Sequence, residues 1–222
     1  MAAAEAAFGP VDMAICCAGA CVPGKLEDLL PRDCELMARL NFLGPLYVCR
    51  ALVPGMKARR AGRLVLVSSQ GGQTGVFGFT AYSGSKFALN GVAQSLQYEL
   101  APYGVRVGVS YPCDTDTPGF EQENKFKPIE THLMSEGGGA VATPEQIAGQ
   151  IIAGMERGDF AITHGFEGFM LNLCTIGFGP STSLLRTLLE VALLPVMRVV
   201  ALFTVASFNR IARKHAPPPD AL

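Results

Sequence analysis

The chain of 222 residues carries little charge: 17% of its residues are Asp, Glu, Lys or Arg, against roughly 25% in ordinary soluble domains. Its 18 basic and 19 acidic residues leave a net charge of −1. No broad basic footprint exists, so a nucleic-acid partner is not expected. The three histidines, His132, His164 and His215, lie far apart, and the seven cysteines (Cys16, Cys17, Cys21, Cys34, Cys49, Cys113 and Cys174) form no C-x-x-C pair. That pattern argues against a structural zinc site or a disulfide framework and suits a reducing compartment. A secretory signal is not expected either, because Met1 to Ala7 carries Glu5 and no apolar run of the needed length. No internal repeat is present.

What the chain has instead is apolar surface. Hydrophobic residues make up 49% of it and the mean hydropathy is +0.29, which excludes a disordered polymer. The length suits one α/β domain. Val11 to Cys17 is almost wholly apolar and predicts a strand covered on both faces, turning at Gly19. Glu27 to Arg60 predicts a long helical stretch, which Pro45 and Pro54 kink or divide. Arg63 to Ser69 predicts a second strand. Phe87, Leu89, Val92, Leu96 and Leu100 recur at helical spacing within a helix over 80–101. Val105 to Tyr111 predicts a third strand. Residues 112–140 lack periodicity and predict a long loop, of the kind that serves as a lid. Thr143-Pro144-Glu145-Gln146 opens a capped helix that ends near Gly158, before a last strand at Phe160 to Thr163. The alternation argues for a parallel, doubly wound sheet in a domain over 1–167.

The excess hydrophobicity lies in a tail over 168–214, ahead of a short disordered end at 215–222. Gly168 to Leu185 is uncharged, and Leu188 to Phe208 is strongly apolar but interrupted by Glu190, Pro195 and Arg198. A spanning helix needs about 20 mostly apolar residues, and a central charge costs about 2.5–3.5 kcal/mol on insertion scales. Two readings stay open: membrane contact as a re-entrant, interfacial or imperfect spanning segment, or a buried or oligomer-forming helix. Arg210, Arg213 and Lys214 favour a cytosolic end if the tail inserts.

Chemistry enters with Tyr82 and Lys86, four residues apart on one face of a helix. A phenol titrates near pH 10, and a neighbouring ammonium stabilises its anion. Set against a ketone, such a phenol can give a proton while a hydride arrives at carbon. The pair alone is weak, since a surface Lys beside a half-buried Tyr looks the same. Ser69, at the end of a strand, adds a hydroxyl for the same carbonyl oxygen. Asn41, taken alone, reads as a satisfied helix asparagine.

Together, Cys17-Ala18-Gly19, Asn41-x-x-Gly44, Ser68-Ser69, Tyr82-x-x-x-Lys86 and Pro112 resemble the short-chain dehydrogenase/reductase family. The resemblance implies a Rossmann-like α/β fold and a nicotinamide cofactor. It also implies that Ser69 orients the carbonyl and Tyr82 acts as acid/base. Lys86 lowers the Tyr82 pKa and binds the nicotinamide ribose, and Asn41 holds a relay water. Cofactor contacts are implied at Ala18, Gly19, Tyr82, Lys86, Pro112 and Thr115, with no metal. Three segments, Val65 to Gly72, Gly78 to Ser83 and Asp114 to Phe120, resemble a lipid-directed branch of that family. That branch uses NADPH to reduce the ketone of a long-chain sphingoid base at the cytosolic face of the endoplasmic reticulum membrane. Asp114 and Asp116 then become candidates for meeting the base's amine, or simply an Asx-turn and helix cap. The resemblance also implies homodimers built on the long helices at 27–60 and 80–101.

The sequence departs from the family pattern at Cys16-Cys17, where two asparagines are usual, and at Cys113, where many relatives carry Gly. The glycine-rich turn T-G-x-x-x-G-x-G is absent from the 222 residues. In the family it supplies the helix N-terminus that holds the pyrophosphate. The expectation is therefore a fragment lacking the first strands, with an open edge at the strand near 11–17 and weak NADPH binding. Two other readings are a steroid or very-long-chain 3-ketoacyl reductase, and a non-catalytic membrane-associated form that pairs with a full-length reductase.

Overall fold

The computed structural model describes residues 2–135, 139–181 and 183–216. Its centre is a four-stranded parallel sheet in the order β1 (Met13–Cys16), β2 (Gly62–Val67), β3 (Val105–Tyr111) and β4 (Ala161–Thr163). The register pairs Ala14 with Leu64, Leu64 with Val107 and Val109 with Ala161. The crossovers are helical: α1 (Ala2–Phe8) precedes β1, α2 (Pro31–Met37) and α3 (Gly44–Arg59) join β1 to β2, and α4 (Thr80–Leu100) joins β2 to β3. Two short helices, α5 (Pro118–Phe126) and α6 (Ile129–Ser135), and then α7 (Pro144–Arg157) lead to β4. The chain ends in α8 (Gly165–Thr175) and α9 (Leu184–Lys214).

Alternation along the strands sorts the core into two layers. Leu64, Leu66, Val105, Val107 and Val109 pack with Cys49, Leu52 and Met56 of α3 and Leu89 and Ala93 of α4. Val65, Val67 and Ile162 point the other way, onto Ile147, Ile151 and Met155 of α7. Burying each such side chain stabilises the fold by about 1.5–3 kcal/mol. The expected doubly wound arrangement is therefore present, with helices on both faces. The Thr143 cap forms as its sequence predicts: the Thr143 hydroxyl accepts from the Gln146 N–H, and the Gln146 side chain accepts from the Thr143 N–H. Gly158 ends α7 at φ +81°, a left-handed conformation that favours glycine.

Several expectations need correction. The first strand is not covered on both faces. It pairs only with β2 among the described residues, and Ile15 is 40% exposed on the face that α7 covers only farther along the sheet. Residues 112–140 are not one loop, because α5 and α6 lie within them. Thr117 caps α5 by accepting from the Phe120 N–H at 3.1 Å, with Pro118 at the first turn, the same device as at Thr143. The stretch 27–60 is broken into α2, a π-helical turn over Ala38–Leu43 and α3. The first part of the uncharged run, Gly168 to Thr175, belongs to the helix α8. Of the end expected to be disordered, residues 217–222 lie outside the described residues.

The tail leaves most of its large apolar side chains exposed. α9 packs on α8 and α6, and the Cys174 thiol of α8 approaches the Met197 carbonyl at 3.5 Å. Its buried residues are Glu190 and Met197, while Leu185, Leu188, Val191, Val199, Leu202 and Phe203 are exposed. At about 1.5 Å per residue it is about 46 Å long, more than the roughly 30 Å of a bilayer's hydrocarbon core. Two helical segments, 31–59 and 184–214, are long and apolar enough to cross a membrane. The first packs its buried side chains on the sheet.

Candidate active site

The carboxyl ends of the strands converge, as they do around ligands in open α/β sheets. Residues 17–20 follow β1, 68–72 follow β2, 112–115 follow β3 and His164 follows β4. Ser69 opens a short 3₁₀ turn over Gln70–Gly72, and its Oγ accepts from the Gly71 N–H at 3.1 Å. Its own hydroxyl proton remains available. The Gln70 N–H donates to the Pro112 carbonyl at 3.1 Å, tying this turn to the end of β3. A Cβ at Gly71 would lie 3.3 Å from Tyr82 Cε1 and 3.6 Å from Ser69 Oγ. Ser69 and Tyr82 are thus brought to one place, and glycine leaves it open.

Burial raises the Tyr82 phenol above its ordinary range; the Ser69 hydroxyl opposes this, while Cys21, Glu123 and Asp114 add to it. Tyr82 is therefore held protonated, as a proton donor must be. The expected lowering of its pKa by Lys86 is not what dominates here. Lys86 sits one turn along α4, 4% exposed, with Nζ 5.8 Å from the Tyr82 ring centre. Burial pushes its ammonium down to about 8. Nζ donates to the Val67 carbonyl at 2.9 Å. Two of its three protons are left for other acceptors.

Asn41 is fully buried and clamps the chain after β1. Its Nδ2 donates to the Ala20 carbonyl and to Ser85 Oγ, both at 2.9 Å, and its Oδ1 accepts from the Ala20 N–H at 2.9 Å. Both amide protons are committed, so this side chain positions the 17–20 segment. The π-helical turn is what aims it there, and such turns are frequent at functional sites. A Cβ at Gly19 would meet Lys86 Nζ at 3.1 Å and Asn41 Oδ1 at 3.2 Å. Ala18 and Gly19 are exposed beside that ammonium.

At the ends of β3 and β4, a cavity of about 280 Å³ is lined by Cys113, Ala142, Gln146, Gln150, His164 and Glu167, among others. Thr115 Oγ1 donates to the Cys113 carbonyl at 2.9 Å. The Asp114 carbonyl accepts from the Ala142 N–H and the Asp116 N–H donates to the Ala142 carbonyl, each at 2.9 Å. His164, 2% exposed, bonds Ser110 Oγ at 2.7 Å and Gln150 Oε1 at 2.6 Å, and burial lowers its pKa to about 4.

Sequence reasoning missed the wall across from Tyr82. There Phe79 meets the Tyr82 ring edge-on at 5.5 Å. Lys127 Nζ lies 5.7 Å from the Phe79 ring, 4.6 Å from the Phe120 ring and 2.8 Å from Glu123 Oε1. The i,i+4 spacing of Glu123 and Lys127 was the available signal.

The short-chain dehydrogenase family model matches residues 1–128. The chain belongs to that family. A 3-ketodihydrosphingosine reductase of Bos taurus is 48% identical over 211 residues, 95% of this chain and 63% of the relative. A 3-dehydrosphinganine reductase of Danio rerio is 46% identical over 211 residues, with the same coverage, and one of Arabidopsis thaliana, TSC10B, is 39% identical over 197 residues, covering 87% and 59%. The chain thus spans about six-tenths of the length of these relatives. Among solved structures, a short-chain dehydrogenase of Streptomyces avermitilis superimposes with a TM-score of 0.66 at 23% identity, covering 97% of this chain and 74% of that one. A gluconate 5-dehydrogenase of Burkholderia cenocepacia, solved with NADP and tartrate, gives 0.63 at 19%, covering 72% and 65%. These structural likenesses bear on the fold.

The cofactor implied by the family is a nicotinamide dinucleotide. The described residues fit its nicotinamide-ribose half: Lys86 Nζ has one hydrogen-bond acceptor among them, and lies beside an exposed Gly19 where a Cβ would crowd it. The glycine-rich turn for the pyrophosphate is not among the 222 residues.

Proposed function

We propose that this short-chain dehydrogenase reduces the ketone of a long-chain 2-amino-3-keto base, 3-dehydrosphinganine, to the secondary alcohol with NADPH. The observation that carries the reading is the convergence of Ser69, Tyr82 and Lys86 on one opening, in a chain 46–48% identical to vertebrate reductases named for that substrate. Tyr82 gives its phenolic proton to the carbonyl oxygen, and the Ser69 hydroxyl, steadied by the Gly71 N–H, donates a second hydrogen bond there. The bound nicotinamide supplies the hydride that reaches carbon. Lys86 holds the ribose hydroxyls, and its low pKa suits it to returning a proton to Tyr82. Ala18, Gly19, Pro112 and Thr115 complete the nicotinamide side, and Asn41 holds the segment of Ala18 and Gly19 in place, with its main chain left to meet a relay water.

The same reading assigns α9 to the cytosolic face of the endoplasmic reticulum membrane, where it would deliver a lipid substrate. Its exposed apolar side chains support this. A homodimer across α3 and α4 belongs to the proposal too; Tyr47 and Tyr98 are exposed on those helices.

The test is NADPH oxidation with the long-chain amino ketone in detergent, with the alcohol product measured directly. Tyr82→Phe should lower kcat by about 10²–10⁴-fold with little change in KM. Retained turnover in that variant would remove Tyr82 from the mechanism, and preference for a steroid or 3-ketoacyl substrate would replace the substrate class.

A further inference from the structure

Glu123, Phe79, Phe120 and Lys127 form a cage for a primary ammonium, and the protein's own lysine fills it. The Lys127 side chain is 2% exposed and that of Glu123 is 16% exposed, so their 2.8 Å contact is shielded from solvent. Two ring faces, Phe120 at 4.6 Å and Phe79 at 5.7 Å, supply the quadrupole attraction that cations seek when desolvated. The cage adjoins the reacting phenol, because Phe79 is shared: its ring contacts Tyr82 as well as Lys127. Glu123 is also near enough to Tyr82 and to Cys21 to disfavour their anions. Lysine's ammonium and the ammonium of a 2-amino ketone are the same chemical group.

We propose that Glu123, with Phe79 and Phe120, is the specificity site for the substrate's primary ammonium, and that Lys127 occupies it as a stand-in until the substrate displaces it. In a 2-amino-3-ketone the nitrogen lies one carbon from the reacting carbonyl. A carboxylate that receives it must therefore lie close to the proton donor. Glu123 meets that condition: its charge is felt at Tyr82, and Phe79 links the Tyr82 ring to the Lys127 ammonium that it pairs with. The exchange explains why a buried lysine follows a short surface helix. It closes α5 over Tyr82 when no amine is bound and leaves the cage when one arrives. Lys127 thereby lowers the fraction of molecules competent to bind. The main chains of Asp114 and Asp116 are tied to Ala142.

This inference rests on the amino-ketone reading, and its test separates the two. Binding of a water-soluble, medium-chain 2-amino-1,3-diol and of its N-acetyl derivative would be measured by calorimetry without cofactor. Glu123→Gln should weaken the amine about 10- to 100-fold and leave the N-acetyl compound unchanged, as loss of a charge-assisted bond requires. Lys127→Met should tighten the amine about threefold or more. The double variant, which removes both charges without stranding either, should bind the amine as weakly as Glu123→Gln. If the pair were only structural, both single variants would weaken both ligands alike, and the inference would fall. If the parent chain bound neither compound, the amino-ketone reading would fall, and the cage with it.

Discussion

Helices α4 and α9 draw on the same apolar residues and bury opposite things. α4 turns Leu89, Ala93 and Leu100 into the sheet and keeps Ser95, Tyr98 and Glu99 toward solvent. α9 turns Glu190 and Met197 inward and leaves Leu, Val and Phe side chains outward on its other sides, with Arg198 among them. Arg186 and Glu190 pair at 3.1 Å against the protein body. In water the α9 arrangement would forfeit the hydrophobic term that holds α4 in place. The comparison teaches that composition alone does not assign a helix its solvent; the face to which its large apolar side chains turn does.

The sharpest way to break this comparison is to swap what each helix faces. Leu89→Ala, at a fully buried site in α4, should cost about 2–5 kcal/mol of unfolding free energy by denaturant titration in detergent. Val199, near the middle of α9, is 52% exposed. Val199→Lys should leave that unfolding free energy nearly unchanged. It should instead weaken liposome association by about 100-fold, the equivalent of about 2.5–3.5 kcal/mol for a charge at the bilayer centre. If Val199→Lys floats with liposomes as the parent does, α9 does not enter the bilayer and its apolar face needs another partner.

Much of the body was legible because its signals are local. The unbroken Leu-Val-Leu-Val of β2, the leucine spacing of α4 and the Thr-x-x-Gln cap of α7 each specify one element and nothing else. The Tyr82–Lys86 pair was legible for the same reason, being set by one helical turn. What escaped reading depends on contacts distant in sequence or on small departures from 3.6 residues per turn. Nothing in Ala38–Leu43 announces a π-helical turn, yet it aims Asn41 at Ala20. α5 has mostly polar residues, so its periodicity is faint, and only the Thr117 cap marks it. The open face at Ile15 follows from which helices cover the sheet, a property no single segment carries.

The two regions also differ in how they bury polar groups, and pH reads the difference. The tail buries an ion pair, whereas the body buries His164 neutral between Ser110 and Gln150. Folding lowers the His164 pKa from 6.5 to about 4 because burial penalises the imidazolium. Between those values the unfolded chain holds more protons than the folded one. Stability should thus fall as pH drops from 6.5 toward 4, by about 3 kcal/mol in all, with no contribution above 6.5. His164→Gln should flatten that stretch of the stability–pH curve. Persistence of the full slope in the variant would assign it to carboxylates elsewhere.

Helix α5 is attached by neither apolar core nor lipid. None of its residues is fully buried, so its start is held by the Thr117 hydroxyl on the Phe120 N–H and its end by the Lys127 contacts just beyond it. Thr117→Ala removes the first of these and should cost about 1 kcal/mol, the usual worth of an N-cap. Because the global core does not depend on it, the loss should appear as local opening. Amides of α5 should exchange about fivefold faster, while those of β2 and β3 keep their protection. Equal acceleration in the strands would show that α5 unfolds only with the whole domain.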